Sequence, residues 1–156
     1  MEKKFSLALK VPPLIQLLVV GLVMWLVARF LDTGETYSTW QGLLLILFLA
    51  AGLAIICVAI ITMYKLDTTI DPRDPSKASK LATVGIFNCS RNPIYLGLFV
   101  ILVTRNIHLY SLYASVGLPL FIWSVTKVQI IPEEQQMGAK FGIDYFSYCE
   151  KVRRWL

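Results

Sequence analysis

The chain has 156 residues, 56% of them hydrophobic and 16% charged, with a formal net charge of +5 and a positive mean hydropathy. So much apolar surface exceeds what one small soluble core needs, and it makes a membrane protein the first class to test. Nucleic-acid binding is an unnecessary explanation for the positive charge, because the basic residues cluster at the ends of apolar runs.

A bilayer core of about 30 Å needs roughly 20 helical residues to cross. Leu14 to Ala28 with its flanks, and Gly42 to Tyr64, meet that length without a charged residue at their centres. The basic segment Met1 to Lys10 raises the alternative of a cleaved signal peptide. No A-x-A-like site follows Ala28 and the apolar run is too long, so a membrane helix is expected. Pro12 and Pro13 sit where a helix start tolerates a missing N–H. Asp32, Thr33 and Gly34 end this helix. A short loop carrying Tyr37 and Trp40, placed like interfacial aromatics, leads to the second. The first hairpin is thus predicted over 11–31 and 41–64. Gly42 and Gly52 form no small-xxx-small face, and nothing in the sequence fixes an oligomeric state.

From Lys65 to Asn92 the composition turns polar, with Pro72, Pro75 and three aspartates. A connector of that length is more often functional or disordered than a plain link. A second apolar region, 94–131, is long enough for two passes and is interrupted by Arg105, Asn106 and His108, which read as the turn of a helical hairpin. Its first part, Ile94 to Thr104, amounts to about 16 Å of helix and is too short to span alone. Leu81 to Pro93 is therefore expected to dip into the interface, which irregular backbone does only when it is buried in protein or lines a wet cavity. A tilted hairpin in a locally thinned bilayer, without a pocket, is the simpler alternative.

The tail over 132–156 begins with Pro132-Glu133-Glu134, a good helix start with acids favoured near the N-terminal dipole. Phe141, Tyr145 and Tyr148 fall at i, i+4 and i+7, one face of a helix. Lys151, Arg153 and Arg154 suit an interfacial segment facing phospholipid. The two ends of an antiparallel hairpin meet, so Arg91 and Asn92 should converge with Glu133 and Glu134. Polar groups gathered at membrane depth are costly and usually functional. The expected fold class is all-α, a single polytopic membrane domain of about four transmembrane helices, with a short third helix and a helical C-terminal tail. Cys57, Cys89 and Cys149 are widely spaced and odd in number, so neither a disulfide frame nor a metal site follows.

Leu81-Ala-Thr-Val-Gly-Ile-Phe-Asn-Cys-Ser-Arg-Asn-Pro-Ile-Tyr-Leu-Gly97, then Glu133-Glu134, then Phe141-Gly-Ile-Asp-Tyr145 with Tyr148 and Val152-Arg-Arg-Trp155, resembles the isoprenylcysteine carboxyl methyltransferase and phospholipid methyltransferase superfamily. The resemblance covers about residues 66–156, with a first hairpin typical of the short prokaryotic members. It implies an S-adenosylmethionine pocket closed by the central loop, the hairpin and the tail. By the same resemblance, the stretch matching Ser79, Lys80, Leu81 and Ala82, with Gly85 and the aromatic Phe87, lines that pocket. The tetrad Asn92-Pro93-Ile94-Tyr95 and the acid Glu133 contact the cofactor. Chemically, its ammonium suits Glu133 or Glu134, its carboxylate suits Arg91 or backbone N–H groups, and its sulfonium favours an aromatic face such as Tyr95. Two departures stand out: Asn92 replaces the histidine of eukaryotic members, which removes proton exchange near neutral pH, and Arg153 stands where proline is common.

Methyl transfer to an amphiphilic acceptor in contact with the bilayer is therefore the expected activity. It is a direct displacement that needs alignment and exclusion of water more than a nucleophile, and no catalytic residue is assigned. Tyr145 or Glu134 could deprotonate an amine or thiol acceptor, whereas a carboxylate acceptor needs no base. A prenylated cysteine, an ethanolamine phospholipid, a small thiol or another amphiphile would all fit. The rivals are a nicotinamide-dependent membrane reductase, similar to sterol reductases in this half, and a noncatalytic lipid-binding protein whose polar cluster fastens the hairpin.

Lysines and arginines collect before the first span, between the second and third, and after the fourth, whereas the opposite ends hold only Arg29 and Arg105. Positive charge marks the cytoplasmic side, so both termini and the loop over 65–93 are expected in the cytoplasm, most simply of a prokaryotic inner membrane. A Ser76→Cys variant should resist a membrane-impermeant thiol reagent applied to intact cells; efficient labelling from outside would reverse the topology.

Overall fold

The computed structural model describes residues 12–31, 39–66 and 80–156, and within them there is helix but no strand. The stretch over 67–79, with Ser79 of the expected cofactor loop, lies outside the described residues, as do the segments before residue 12 and between the first two helices. Helix α1 (Pro13–Leu31) and helix α2 (Thr39–Lys65) match the two apolar runs. A 3-10 turn over Gly85–Asn88 precedes α3 (Pro93–Leu109), and a second over Tyr113–Val116 precedes α4 (Gly117–Val125). A π-helical turn over Thr126–Ile130 joins α4 to α5 (Ile131–Phe141), and α6 (Ile143–Lys151) follows.

Three helical stretches are long and apolar enough to cross a membrane: Pro13–Leu31, Trp40–Lys65 and Tyr113–Phe141. Leu18, Leu22, Leu43, Ile46 and Leu47 on α1 and α2 all lie exposed. Contiguous apolar faces of that extent are stable only against lipid or another apolar surface. The fourth apolar helix, α3, is shorter at 17 residues. At 1.5 Å per residue it reaches about 25 Å, short of a full bilayer core.

One expectation about this hairpin changes and a second is refined. Arg105, Asn106 and His108 do not form its turn; they continue α3, which ends at Tyr110 with φ 47°, its N–H donating to the carbonyls of Asn106 and Ile107. Polar residues near the end of a helix tell little about where it stops, because the last turn tolerates them readily. Pro132-Glu133-Glu134 do occupy the first turn of α5, as a helix start would, but the backbone enters that turn without a break from the π turn before it. They sit inside one helical run from Tyr113 to Phe141. Proline removes a donor and crowds the carbonyl four residues earlier. The π turn just ahead of it, where the Ile131 N–H reaches back to the Thr126 carbonyl, widens the helix at the place where that accommodation is needed.

Helix α3 is central and touches α1, α2 and α4. Val20 and Met24 from α1, Tyr95, Leu98 and Leu102 from α3, and Phe121, Val125 and Ile130 from the last run make the main core. The α2–α3 contact is the most extensive and is built differently. A Cβ added to Gly52 would lie 2.9 Å from the Gly97 carbonyl oxygen, and one added to Gly97 would lie 2.8 Å from the Gly52 carbonyl oxygen. The two backbones therefore touch directly, the arrangement that lets helices associate in lipid, where apolar burial gives little drive.

Gly97→Leu should force α2 and α3 apart, at a cost of about 1–3 kcal/mol, and lower the melting temperature in detergent by several degrees. Gly42→Leu is the control, since nothing lies within 4 Å of the added Cβ there, and it should leave the melting temperature nearly unchanged.

Candidate functional site

The polar residues expected to converge do so at the start of α3. Pro93 opens that helix and Asn92 precedes it in a non-helical conformation, so Ser90, Arg91 and Asn92 form a bend at one end of the bundle. Tyr95, half a turn further on, donates a hydrogen bond to the Glu133 carboxylate on the facing helical run. One residue later, Glu134 binds two arginines. Arg154 reaches it through both Nε, at 2.9 Å, and Nη2, at 2.6 Å, and Arg91 approaches at 3.2 Å. This bidentate fork is the strong form of arginine–carboxylate pairing. The Arg91 side chain is 13% exposed and that of Arg154 38%, so the Arg91 pair is the less screened of the two.

Main chain completes the junction. The Arg91 N–H donates to the Arg153 carbonyl at 3.1 Å, and the Asn92 side-chain amide donates to the Arg154 carbonyl at 2.9 Å. Ser90, fully buried, donates its hydroxyl to the same Arg154 carbonyl at 3.5 Å and accepts the Asn92 N–H at 3.2 Å. Arg91 also donates to the Cys149 sulfur. Trp155 enters the main core and meets Phe99 edge-on at 6.5 Å between ring centres. The last residues of the chain are thus part of the bundle rather than a surface anchor.

A second layer lies over this junction. Tyr145, Tyr148 and Val152 bury one another together with Leu81, Met137 and Phe141, and the Tyr148 hydroxyl donates to the Phe87 carbonyl at 2.6 Å. Phe141, Tyr145 and Tyr148 do not share one helix. Gly142, at φ 53° and ψ −126°, separates α5 from α6, a backbone geometry that suits glycine. The aromatic cluster arises because α6 folds back on α5. Burial pushes the Tyr145 phenol above its ordinary value, and the nearby Glu134 and Cys149 add to the shift. Burial raises Tyr148 as well. Both phenols therefore stay protonated near neutral pH and act as hydrogen-bond donors, which argues against Tyr145 as a base.

The remaining residues expected around a cofactor spread over neighbouring surfaces. Ala82 and Phe87 pack with Ala59 of α2, with Ile86 and Ile94 beside them. Gly85 takes φ 63° close to Thr62 of α2. Leu81 joins the tyrosine cluster, Lys80 is exposed, and Pro93 is buried. Arg91, Asn92, Tyr95, Glu133 and Glu134 are the members brought together. Missed by the sequence reading are the part of Arg154 as the main partner of Glu134, whose charge holds the guanidinium proton more tightly, and the place of Cys149 beside Arg91. No local signal marks either, since Arg154 lies twenty residues from Glu134 and Cys149 fifty-eight from Arg91.

Fold and junction together define a small helical membrane protein with a partly buried ionic cluster closed by residues 153–155. The chain is 40% identical over 63 residues to an uncharacterized protein of Haemophilus influenzae, covering 40% of this chain and 100% of that one, and it belongs to the same family as that protein. It is also 24% identical over 135 residues to the protein-S-isoprenylcysteine O-methyltransferase A of Arabidopsis thaliana, across 86% of this chain and 68% of the plant protein. No family model and no solved structure matches it.

Glu134→Gln should loosen the tail while leaving the spans inserted. Losing the charge that holds two guanidinium groups costs about 1.5–3 kcal/mol, enough to raise the open population about ten- to a hundredfold. Trypsin cleavage at Lys151 and Arg153, followed by mass spectrometry, reads this directly; cleavage unchanged from the parent would show that Trp155 and the main-chain bonds hold the tail without the ion cluster.

Proposed function

We propose that this protein is an S-adenosylmethionine-dependent methyltransferase acting on an amphiphilic acceptor at the cytoplasmic face of the membrane, with four helices crossing or entering the bilayer. One observation carries the reading: the start of α3, the pair Glu133-Glu134 and residues 153–155 meet in a single, largely buried polar junction beside the apolar bundle. The distant likeness to an isoprenylcysteine O-methyltransferase points to the same chemistry.

The residues present fit the donor. Arg91 Nε is buried and has no hydrogen-bond partner among the described residues, so a donor group remains for the cofactor carboxylate. Glu134 is occupied by two arginines, whereas among the described residues Glu133 is held by the Tyr95 hydroxyl. Glu133 is therefore the better partner for the cofactor ammonium. Tyr95 would then keep its ring toward the sulfonium while its hydroxyl orients the Glu133 carboxylate. The cofactor supplies an activated methyl group; the chain's own groups bind it, orient it and exclude water. Glu134 already holds two guanidinium groups and Tyr145 is protonated, so neither is placed to take a proton from an acceptor. An acceptor that is already an anion, such as a carboxylate, suits this site better than a neutral amine.

The noncatalytic reading also has an observation in its favour. Every carboxylate of the junction already has a partner within the protein, as expected of a purely structural clasp. Ligand-dependent stabilisation separates the two. S-adenosylhomocysteine should raise the melting temperature in detergent saturably, and Glu133→Gln should weaken it by about 1.5–3 kcal/mol with the parent's melting temperature largely retained. Tyr95→Phe keeps the buried ring and should weaken binding less. No shift with S-adenosylhomocysteine would leave the clasp as the function of the junction, and a shift with reduced nicotinamide cofactor instead would indicate a reductase.

A further inference from the structure

At the end of the bundle opposite the ionic junction, an open recess of about 950 Å³ lies among the ends of α1, α2, α3 and the 3-10 turn after it. Trp25 and Arg29 of α1, Trp40 of α2, and Asn106, Ser111 and Ser115 line it. A cavity of this size takes a ligand as large as a lipid headgroup, and the methyl-transfer reading makes no use of it.

Its chemistry is that of an anion site facing lipid. Arg29 is a cation, and among the described lining residues there is no carboxylate. Asn106 donates to Ser115 at 3.0 Å, and Ser111 accepts the Ala114 N–H at 3.0 Å, which leaves the Ser111 hydroxyl proton for another acceptor. These bonds hold the small polar groups in place rather than leaving them to solvent. Trp25 and Trp40 are 43% and 58% exposed, as expected of indoles at headgroup depth. From their level the exposed leucines of both helices, Leu22, Leu43 and Leu47 among them, run along the bundle. Two hydrocarbon chains can lie on that surface while a phosphate sits at Arg29.

We infer that this recess binds the headgroup of an anionic phospholipid, with Arg29 pairing the phosphate, Ser111 and Asn106 donating to it, and the two tryptophans flanking the glycerol region. Arginine is the side chain suited to this contact, since its planar fork matches a phosphate and is less strongly hydrated than an ammonium. The site lies at the other end of the molecule from Glu133 and Glu134, so it stands or falls independently of the methyltransferase reading.

The experiment uses the full chain in detergent, titrated with mixed micelles of phosphatidylglycerol or phosphatidylcholine, or with inorganic phosphate, and read by thermal melting and native mass spectrometry. Phosphatidylglycerol should raise the melting temperature saturably and remain bound in the spectrometer. Arg29→Gln, a change at an exposed position, should weaken its half-saturation about tenfold or more, and Arg29→Lys should recover part of the loss. Arg105→Gln, which removes a charge from the same end of α3, should leave binding unchanged. Equal stabilisation by phosphatidylcholine, a response to inorganic phosphate alone, or Arg29→Gln binding as the parent does, would each overturn the proposal.

Discussion

Glu134 is the point on which the arrangement turns. It draws Arg91 from the segment before α3 and Arg154 from the end of the chain onto one carboxylate. Two cations brought together at a half-buried site would repel without it, and a carboxylate there would be costly without them. The triad is therefore stable as a set. Its formation sets where the tail lies, which in turn places the Arg153 and Arg154 carbonyls to receive donors from Arg91 and Asn92. The tyrosine layer, the buried Trp155 and the fold of α6 onto α5 all presuppose that docking.

The bundle is held by a different principle. Along α2 few residues are buried, Gln41, Gly52 and Ala59 among them, and most of its surface is left for lipid. Its attachment to α3 rests on the near contact of two glycine backbones, where close approach strengthens dispersion over a long seam. At the polar end, hydrogen bonds and charges make the specific contacts. In the apolar zone, shape does.

Much of this was legible from residue types alone. Two long uncharged runs pointed to helices in lipid, and the apolar segment from Ile94 marked where the body of α3 lies. The convergence of Arg91 and Asn92 with Glu133 and Glu134 followed from the geometry of a hairpin. What stayed hidden is equally specific. Arg105, Asn106 and His108 looked like a turn because polarity inside an apolar run suggests a break, yet α3 carries them in its final turns. Gly52 and Gly97 lie in different helices, so their pairing left no spacing to detect. Gly142 interrupted a periodic aromatic pattern that continues across it in space, because the chain folds back and restores the cluster. Arg154 looked like one more basic residue in a basic tail, and only its partner's position reveals its part.

The π turn over Thr126–Ile130 has a consequence for how the two acids are aimed. A turn closed by a bond from residue 131 back to 126 holds one residue more than an ordinary α turn. Everything beyond it is rotated by about 100° relative to an uninterrupted helix. With regular winding, the face that buries Phe121 and Val125 against α1 and α3 would arrive at Glu133 and Glu134 out of phase, turning them aside from Tyr95 and Arg91. The extra residue acts as a phase adjuster between two halves of one rod, so that the apolar half can be packed for the membrane and the polar half aimed at the junction without either compromising the other.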